Sequence, residues 1–502
     1  MSNTNLLQEF HAYQRKIASK RYVNFLINWD AATEAPKKSM LYRAQMQGEL
    51  AADQFAYQMD PKNLDLLENV SNRSDIDELD RLSAKKYLKE INKIRNIPQK
   101  EYVQSVQNRS IISRVWEEAK QTNDYPLFAP YLDKFLNDVK MALYYRDVKQ
   151  QDYFDVLLDD NEEGMDSKKY DLFFDTIKAE LVPLMKKCLL QGREIDDSLL
   201  YAYGSKAKQE EMVRYLADVC YYDLKAGVIK TSVHPFTSSA GTPDDVRFTV
   251  RYHENYFTGS LMAAMHEMGH AIHAQQCDPA SAGTNLFGGP SAGIAESQSR
   301  FNENYIGRSL AFWQTHYSKL QQVYPELLNN VGVTDFWRVL NRIKPTANRL
   351  EADELSYPFH IILRYELERG IFSNQISVKE LPELWRQKSL EYLGVMPNND
   401  SEGVLQDVHW GGNVGFGYFP TYALGTAYGA QFRAAMLREL EIDQAIRDNR
   451  LDRINSWLKE KIHFHCGSKT PEQILLDATG EAFNVRYYID YLKEKYDMIY
   501  FH

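Results

Sequence analysis

Through most of the chain, apolar residues recur every three or four positions. LLQEFHAYQRKIASKRYVNFLINW and DELDRLSAKKYLKEINKI, both within residues 1–150, are examples. Side chains at that spacing share one face of a helix, so the pattern predicts a string of amphipathic helices. Breaks are expected near Pro36, at Asp60-Pro61 and near Pro98. The charged, Asn- and Ser-bearing stretch 63–80 reads as a helix with a surface loop. Helical spacing continues through YDLFFDTIKAELVPLMKKCLLQ and KQEEMVRYLADVCYYDLKAG, where Gly227 fits a C-cap. Then the period changes to two. In VRFTVRYH, Val246, Phe248, Val250 and Tyr252 alternate with Arg247, Thr249, Arg251 and His253. Strands are expected over 228–234 and 246–253, joined by the breaker-rich turn TSSAGTPDD. Such strands suit an edge that holds an extended peptide, or a small hairpin that covers a neighbouring helix.

Helix returns over Ser260–Gln276, with Ser260 as a cap and Cys277-Asp278-Pro279 as the stop. A second helix is expected from about Ile294, with more helix to about Arg342. Arg349, Glu351 and Asp353 fall in a charged turn or helix start. GVLQDVHWGGNVGFGYFPTYALGTAYGAQ reads as loop, dense in Gly and aromatics, and helix resumes from Phe432. No repeat and no Pro/Ser-rich linker divides the chain. The expected fold is mostly α: one large helical domain over 1–502, with one small sheet beside the 260–276 helix.

Composition narrows the function. A net charge of −10 argues against nucleic acid as the main partner. No apolar run approaches the length of a membrane span. The first twenty residues lack the apolar core of a secretory signal. Cys188, Cys220, Cys277 and Cys466 show no metal-site spacing and read as reduced, buried thiols. A cytoplasmic protein is therefore expected.

The chemistry lies in the 260–276 helix. It contains His266-Glu267-Met268-Gly269-His270, an HExxH. Residues four apart lie one turn apart on one face, so both imidazoles can reach one ion. Glu267 is rotated by about 100° from His266, so it can stand beside the ion's open position without ligating it. This is the pattern of a zinc peptidase, with two His ligands and a Glu base. A third ligand is needed. His273 lies about 10 Å along the axis from His266, too far for one ion, and reads as a packed residue. The HxxGxxH continuation is absent: His273 and Gln276 stand where its Gly and last His would fall. Glu296, the first carboxylate of the following helix, is the better candidate. Glu303, two turns on, could support it. Glu296 could otherwise be a first-turn acid favoured by the helix dipole.

Several ordered motifs extend this reading. WDAATEAP begins at Trp29; VWEEAKQTNDYPLFAPYL and LLDDNEEGM follow. Then come His234-Pro235-Phe236, DVRFT from Asp245, HEMGH, ESQ from Glu296, NRLEAD from Asn348 and GVLQDVHW from Gly403. The whole chain resembles the thermostable metallocarboxypeptidases named after carboxypeptidase Taq. Three positions depart from the family's usual pattern: Ala35 for Met, Ala295 for the His before the ligand Glu, and Asn348 for Ile or Val. Ala295 removes a polar neighbour of the site. The resemblance implies a saddle-like helical homodimer with a deep active-site groove and an HExxH core over about 230–430. It implies removal of single residues from peptide C-termini, with broad side-chain tolerance and poor tolerance of Pro. It implies one ion per chain, Zn²⁺ with Co²⁺ or Mn²⁺ possible.

Roles follow for further residues. His266, His270 and Glu296 hold the ion and Glu267 is the general base. The tetrahedral oxyanion needs donors, for which His409 and Tyr418 or Tyr422 are candidates. Aromatic packing is the alternative for the tyrosines. An exopeptidase must bind a free carboxylate, and Arg does so by bidentate geometry. Arg349 is the first choice and Arg247 the second. The alternative for each is a structural ion pair, for example with Asp353 or Asp245. Asp245 and Asp407 read as residues that orient neighbours. The competing functions are an HExxH oligoendopeptidase, which needs no clamp, and a weakly active peptide-binding homologue, suggested by Ala295.

Overall fold

The computed structural model describes residues 3–146, 148, 151–411 and 414–502. Among the described residues the chain is mostly helical, with one three-stranded sheet. It divides into two compact units. The first comprises Met1–Ile91, Ile195–Leu340 and Tyr428–Phe483; the second comprises Asn92–Glu194, Asn341–Ala427 and Asn484–His502. Among the described residues, no helix is long and apolar enough to cross a membrane.

The first unit begins with the helix Asn3–Thr33, which ends just before Pro36. Pro61 opens the helix Pro61–Ser71, where its fixed φ and missing N–H cost nothing. Asp60 caps that helix by accepting from the Lys62 N–H. Phe10, Tyr13 and Ile17 pack with Leu67, Val70 and Tyr87 in a buried cluster. The expected loop within 63–80 falls after Ser71, before the helix Glu78–Asn92.

The sheet differs from the expected pair of strands. Among the described residues there are three: β1 (Gly227–Thr231), β2 (Thr237–Ser239) and β3 (Val246–Val250), in the order β1-β3-β2. β1 runs parallel to β3, so the two do not form a hairpin. β2 pairs antiparallel with β3 and is an edge. The segment read as a turn therefore supplies a strand, because Thr and Ser side chains fit a half-buried pleat despite their frequency in turns. β3 stops at Val250, earlier than expected. Its Val246, Phe248 and Val250 are fully buried, as the alternation predicted.

The HExxH helix spans Phe257–Gln275 and buries thirteen of its residues. Ser260 is not its cap. The helix starts earlier because Phe257 is buried and stacks on Tyr324, ring centroids 4.5 Å apart. Ser260 lies in the first turn and accepts instead from the His253 N–H at 2.9 Å. The Glu296 helix, Ala292–Arg300, is capped by Ser291, which accepts from the Ile294 N–H at 3.1 Å. It runs on into a π-helical segment, Phe301–Gly307. Such wide turns are rare and often occur at functional sites.

In the second unit, helices Tyr153–Asn161, Ser167–Gln191 and Tyr357–Phe372 meet in an aromatic core. Tyr365 stands there with Phe174 at 4.9 Å and Phe154 at 5.8 Å between ring centroids. The stretch read as loop up to Phe432 is shorter than expected: the helix Pro420–Met436 starts at Pro420. Its Ala423, Leu424 and Ala427 are buried on a common face, and that burial overrides the local Gly content. Before it, Glu368 ties down the loop, accepting from Trp410 Nε1 at 2.7 Å and Gly417 N at 2.9 Å.

Candidate metal and carboxylate sites

Two helices of the first unit build the metal site, and a glycine sets their distance. A Cβ placed on Gly269 would stand 2.5 Å from the Gln298 carbonyl oxygen and 2.7 Å from the Ser299 Cα. Only glycine lets the HExxH helix lie this close to the Glu296 helix. Asn302 Nδ2 adds a hydrogen bond of 2.5 Å to the Met265 carbonyl.

The approach brings His266, His270 and Glu296 together, with one ligand atom from each lying within 4.8 Å of the others. Glu296 Oε2 is 3.6 Å from His266 Nε2 and 3.5 Å from His270 Nε2. Three donors around a tetrahedral ion with bonds of about 2.05 Å stand about 3.3 Å apart. The donor set and its spacing therefore fit a divalent ion with one position open.

Charged residues orient these donors. His266 Nδ1 lies 3.1 Å from Glu303 Oε2, which fixes the tautomer that leaves Nε2 free. Glu303 thus supports His266 rather than Glu296. Arg300 joins the two carboxylates, donating to Glu296 Oε1 at 2.8 Å and Glu303 Oε2 at 3.0 Å. Arg308 donates to Glu303 Oε1 at 3.2 Å. Burial pushes both carboxyls up, but the neighbouring His266 and arginines outweigh it and hold both well below the usual carboxylate range. Arg300 was legible in the sequence, being four residues after Glu296 and three before Glu303.

Glu267 is buried, and its carboxylate Oε2 accepts from Thr237 Oγ1 of β2 at 2.6 Å. Sequence reading missed Thr237 because it lay in the supposed turn. His273 stands apart from the ligand set and packs on His463, ring centroids 4.7 Å apart. Burial pushes its imidazole down to about 3, so it is neutral.

Arg247, on β3, forms a two-bond pair with Asp245 at 2.6 and 2.8 Å. Its guanidinium lies over Phe25 and Trp29. Thr237 pairs with Phe248 in the register and Ser238 with Arg247. Side chains alternate across a sheet, so Arg247 lies on the face opposite Thr237 and Glu267.

The remaining predicted residues gather in the second unit. Arg349 donates to Asp407 Oδ1 through Nε at 3.1 Å and Nη2 at 2.8 Å, and to Tyr357 at 3.2 Å. The ion pair with Asp353 is not formed; Asp353 instead accepts the N–H groups of Lys344, Leu355 and Ser356. The other oxygen of Asp407 is taken by Arg364, at 2.7 Å from its Nε. Arg364 is fully buried, at 0% exposure, and lies under Trp385. An arginine inside the apolar run YPFHIILRYEL was a signal that sequence reading passed over. Asp407 is held well below its ordinary range: burial opposes this, but the two arginines win. His409 stacks on Phe419 at 4.2 Å, and its Nε2 is 3.3 Å from the Tyr422 hydroxyl. Burial, aided by Arg349 and Arg364 against Asp407, pushes its imidazole down to about 4. Tyr418 meets Tyr422 edge-on at 5.3 Å, and Arg349 lies 5.2 Å over the Tyr422 ring.

A helical fold with an HExxH helix and a glutamate brought beside it by the next helix defines a metallopeptidase. Comparison with known proteins gives the family. Residues 9–496 match the family described as Carboxypeptidase Taq (M32) metallopeptidase, and the chain belongs to it. It is 41% identical to carboxypeptidase 1 of Bacillus subtilis, over 98% of this chain and 99% of that protein. It is 34% identical to thermostable carboxypeptidase 1 of Thermus thermophilus, over 99% and 98% of the two. The solved M32 carboxypeptidase of Deinococcus radiodurans superposes with a TM-score of 0.94 at 30% identity, over 99% of each chain. The chain is a metallocarboxypeptidase, a peptide-bond hydrolase.

Proposed function

We propose that the enzyme removes single residues from the free C-termini of peptides, with broad side-chain tolerance, and that Glu267 is its general base. The grouping of His266, His270 and Glu296, with Glu267 on the same helix, carries this reading. The three ligands would hold one ion per chain, zinc, with cobalt or manganese able to replace it. Once bound there, the ion supplies Lewis-acid polarisation and a lowered pKa of water. Glu267 takes the proton of the attacking water and passes it to the leaving amine. β2 is an edge strand, and an extended peptide can add to it by main-chain hydrogen bonds.

The choice between the arginines rests on charge. Arg247 and Asp245 cancel one for one. Arg349 and Arg364 share the single carboxylate of Asp407, which leaves one positive charge over. Arg349 is therefore the carboxylate clamp, and Arg364 supplies the second charge that keeps it available. His409 is neutral and can donate one N–H to the oxyanion, with Tyr418 or Tyr422 as the second donor. Four buried, free cysteines suit a reducing compartment, and a cytoplasmic location is proposed. A homodimer acting on peptides is the assembly that the family resemblance suggests.

Glu267→Gln tests the base. The variant should keep its metal, measured by stoichiometry, and lose about 10²- to 10⁴-fold in kcat. Turnover close to that of the unaltered enzyme would place the base elsewhere.

A further inference from the structure

β2 sits where two needs meet. Its Thr237 reaches the Glu267 carboxylate with its side chain, at 2.6 Å. Its main chain faces the open edge. Thr249 N donates to Phe236 O, and Ala240 N donates to Asp245 O, so residues 236 and 240 turn their polar groups toward β3. By strand alternation, the N–H and C=O of Thr237 and Ser239 point the other way, along the free edge.

The hydroxyl is well anchored. Thr237 is held in register opposite Phe248, and its Oγ1 also lies 3.0 Å from the Glu267 main-chain oxygen. A β-branched side chain has little freedom about χ1, so the oxygen is fixed relative to the strand. Among the described residues, Thr237 is the sole hydrogen-bond donor to the Glu267 carboxylate. It engages Oε2 and leaves Oε1 open. A glutamate has three side-chain torsions, the last of them broad and weakly determined. A base without a donor would spend much of its time turned away from the water it must deprotonate.

We propose that Thr237 is a positioning residue: its hydroxyl pins Glu267 Oε2, so that Oε1 faces the attacking water. The inference rests on Glu267 being the base. It adds a link between substrate and base, since the residue that aims Glu267 also belongs to the strand edge offered to the peptide.

The test compares Thr237→Val, which keeps shape and branching but removes the hydroxyl, with Thr237→Ser, which keeps the hydroxyl. Both are made in the full chain and loaded with zinc. Thr237→Val should lower kcat by about 10- to 100-fold with KM within about twofold, as expected for misplacement rather than lost binding. Thr237→Ser should restore most of kcat. Zinc affinity, measured by chelator competition, should be unchanged in both. Crystal structures of the zinc-loaded variants should show the Glu267 carboxylate displaced in Thr237→Val and in place in Thr237→Ser. A kcat unchanged in Thr237→Val, a rise confined to KM, or equal loss in both variants would overturn the proposal. An undisplaced Glu267 in the Thr237→Val structure would overturn it whether or not the enzyme turns over. A base misassigned to Glu267 is a separate failure: Glu267→Gln would then stay active while Thr237→Val still moved the carboxylate.

Discussion

Gly269 and Gln298 touch across the two helices of the metal site: a Cβ on the glycine would lie 2.5 Å from the Gln298 carbonyl oxygen. The neighbour is backbone, so it cannot turn aside. This contact sets how near Glu296 comes to the two histidines. Gly269→Ala must push the helices apart, at a cost of about 1–3 kcal/mol. Zinc affinity should fall together with thermal stability. Normal zinc binding in this variant would show that the close approach does not determine the site.

Glu303 holds His266 through Nδ1 at 3.1 Å. Glu303→Gln keeps the size but leaves Arg300 and Arg308 short of a negative charge. Zinc affinity should drop by about 10- to 100-fold, measured by chelator competition. Unaltered affinity would mean that the metal alone orients the ring.

Asp407 answers two buried arginines with one carboxylate, so its loss should be severe. Asp407→Asn leaves Arg349 and Arg364 facing each other and should cost about 3–5 kcal/mol at neutral pH. The sign with pH follows from the direction of the shift. The folded pKa lies below the ordinary 3.8. Stability from this group is therefore fully present above that value and is lost as pH falls through the lower folded one. The difference between wild type and variant in thermal unfolding should shrink as pH is lowered into the acid range. A difference that stays constant down to strong acid would mean that packing, not charge, is what the variant loses.

Much of this was legible in the sequence. The helical spacing gave the fold class, and HExxH at one-turn spacing gave two members of the His-His-Glu group and the proposed base. Glu296 could be reached by asking for a third ligand on the next helix. What was missed lies in contacts that no local pattern encodes. Thr237 reads as a turn residue until β3 pairs with it. Gly269 is one of the two unspecified positions of HExxH, and its purpose appears only when the Gln298 carbonyl is beside it. Arg349 carried no mark of its partner: Asp353, four residues away, was the nearer choice, yet Asp407, 58 residues on, is the one it binds. Ala295, the departure that raised doubt about activity, leaves the three ligands grouped.

We propose that Arg349 reads a free C-terminal carboxylate and that the adjacent bond is cut at the His266-His270-Glu296 group. The most direct measurement is mass spectrometry of one peptide offered as the free acid and as its amide, with zinc-loaded wild type and Arg349→Ala. Wild type should shorten the acid one residue at a time and leave the amide intact. Arg349→Ala should lose about 10- to 100-fold in kcat/KM on the acid, the worth of charged hydrogen bonds of about 1.5–3 kcal/mol. Internal cuts in both peptides, or an Arg349→Ala enzyme as active on the acid as wild type, would contradict Arg349 as the reader of the C-terminal carboxylate.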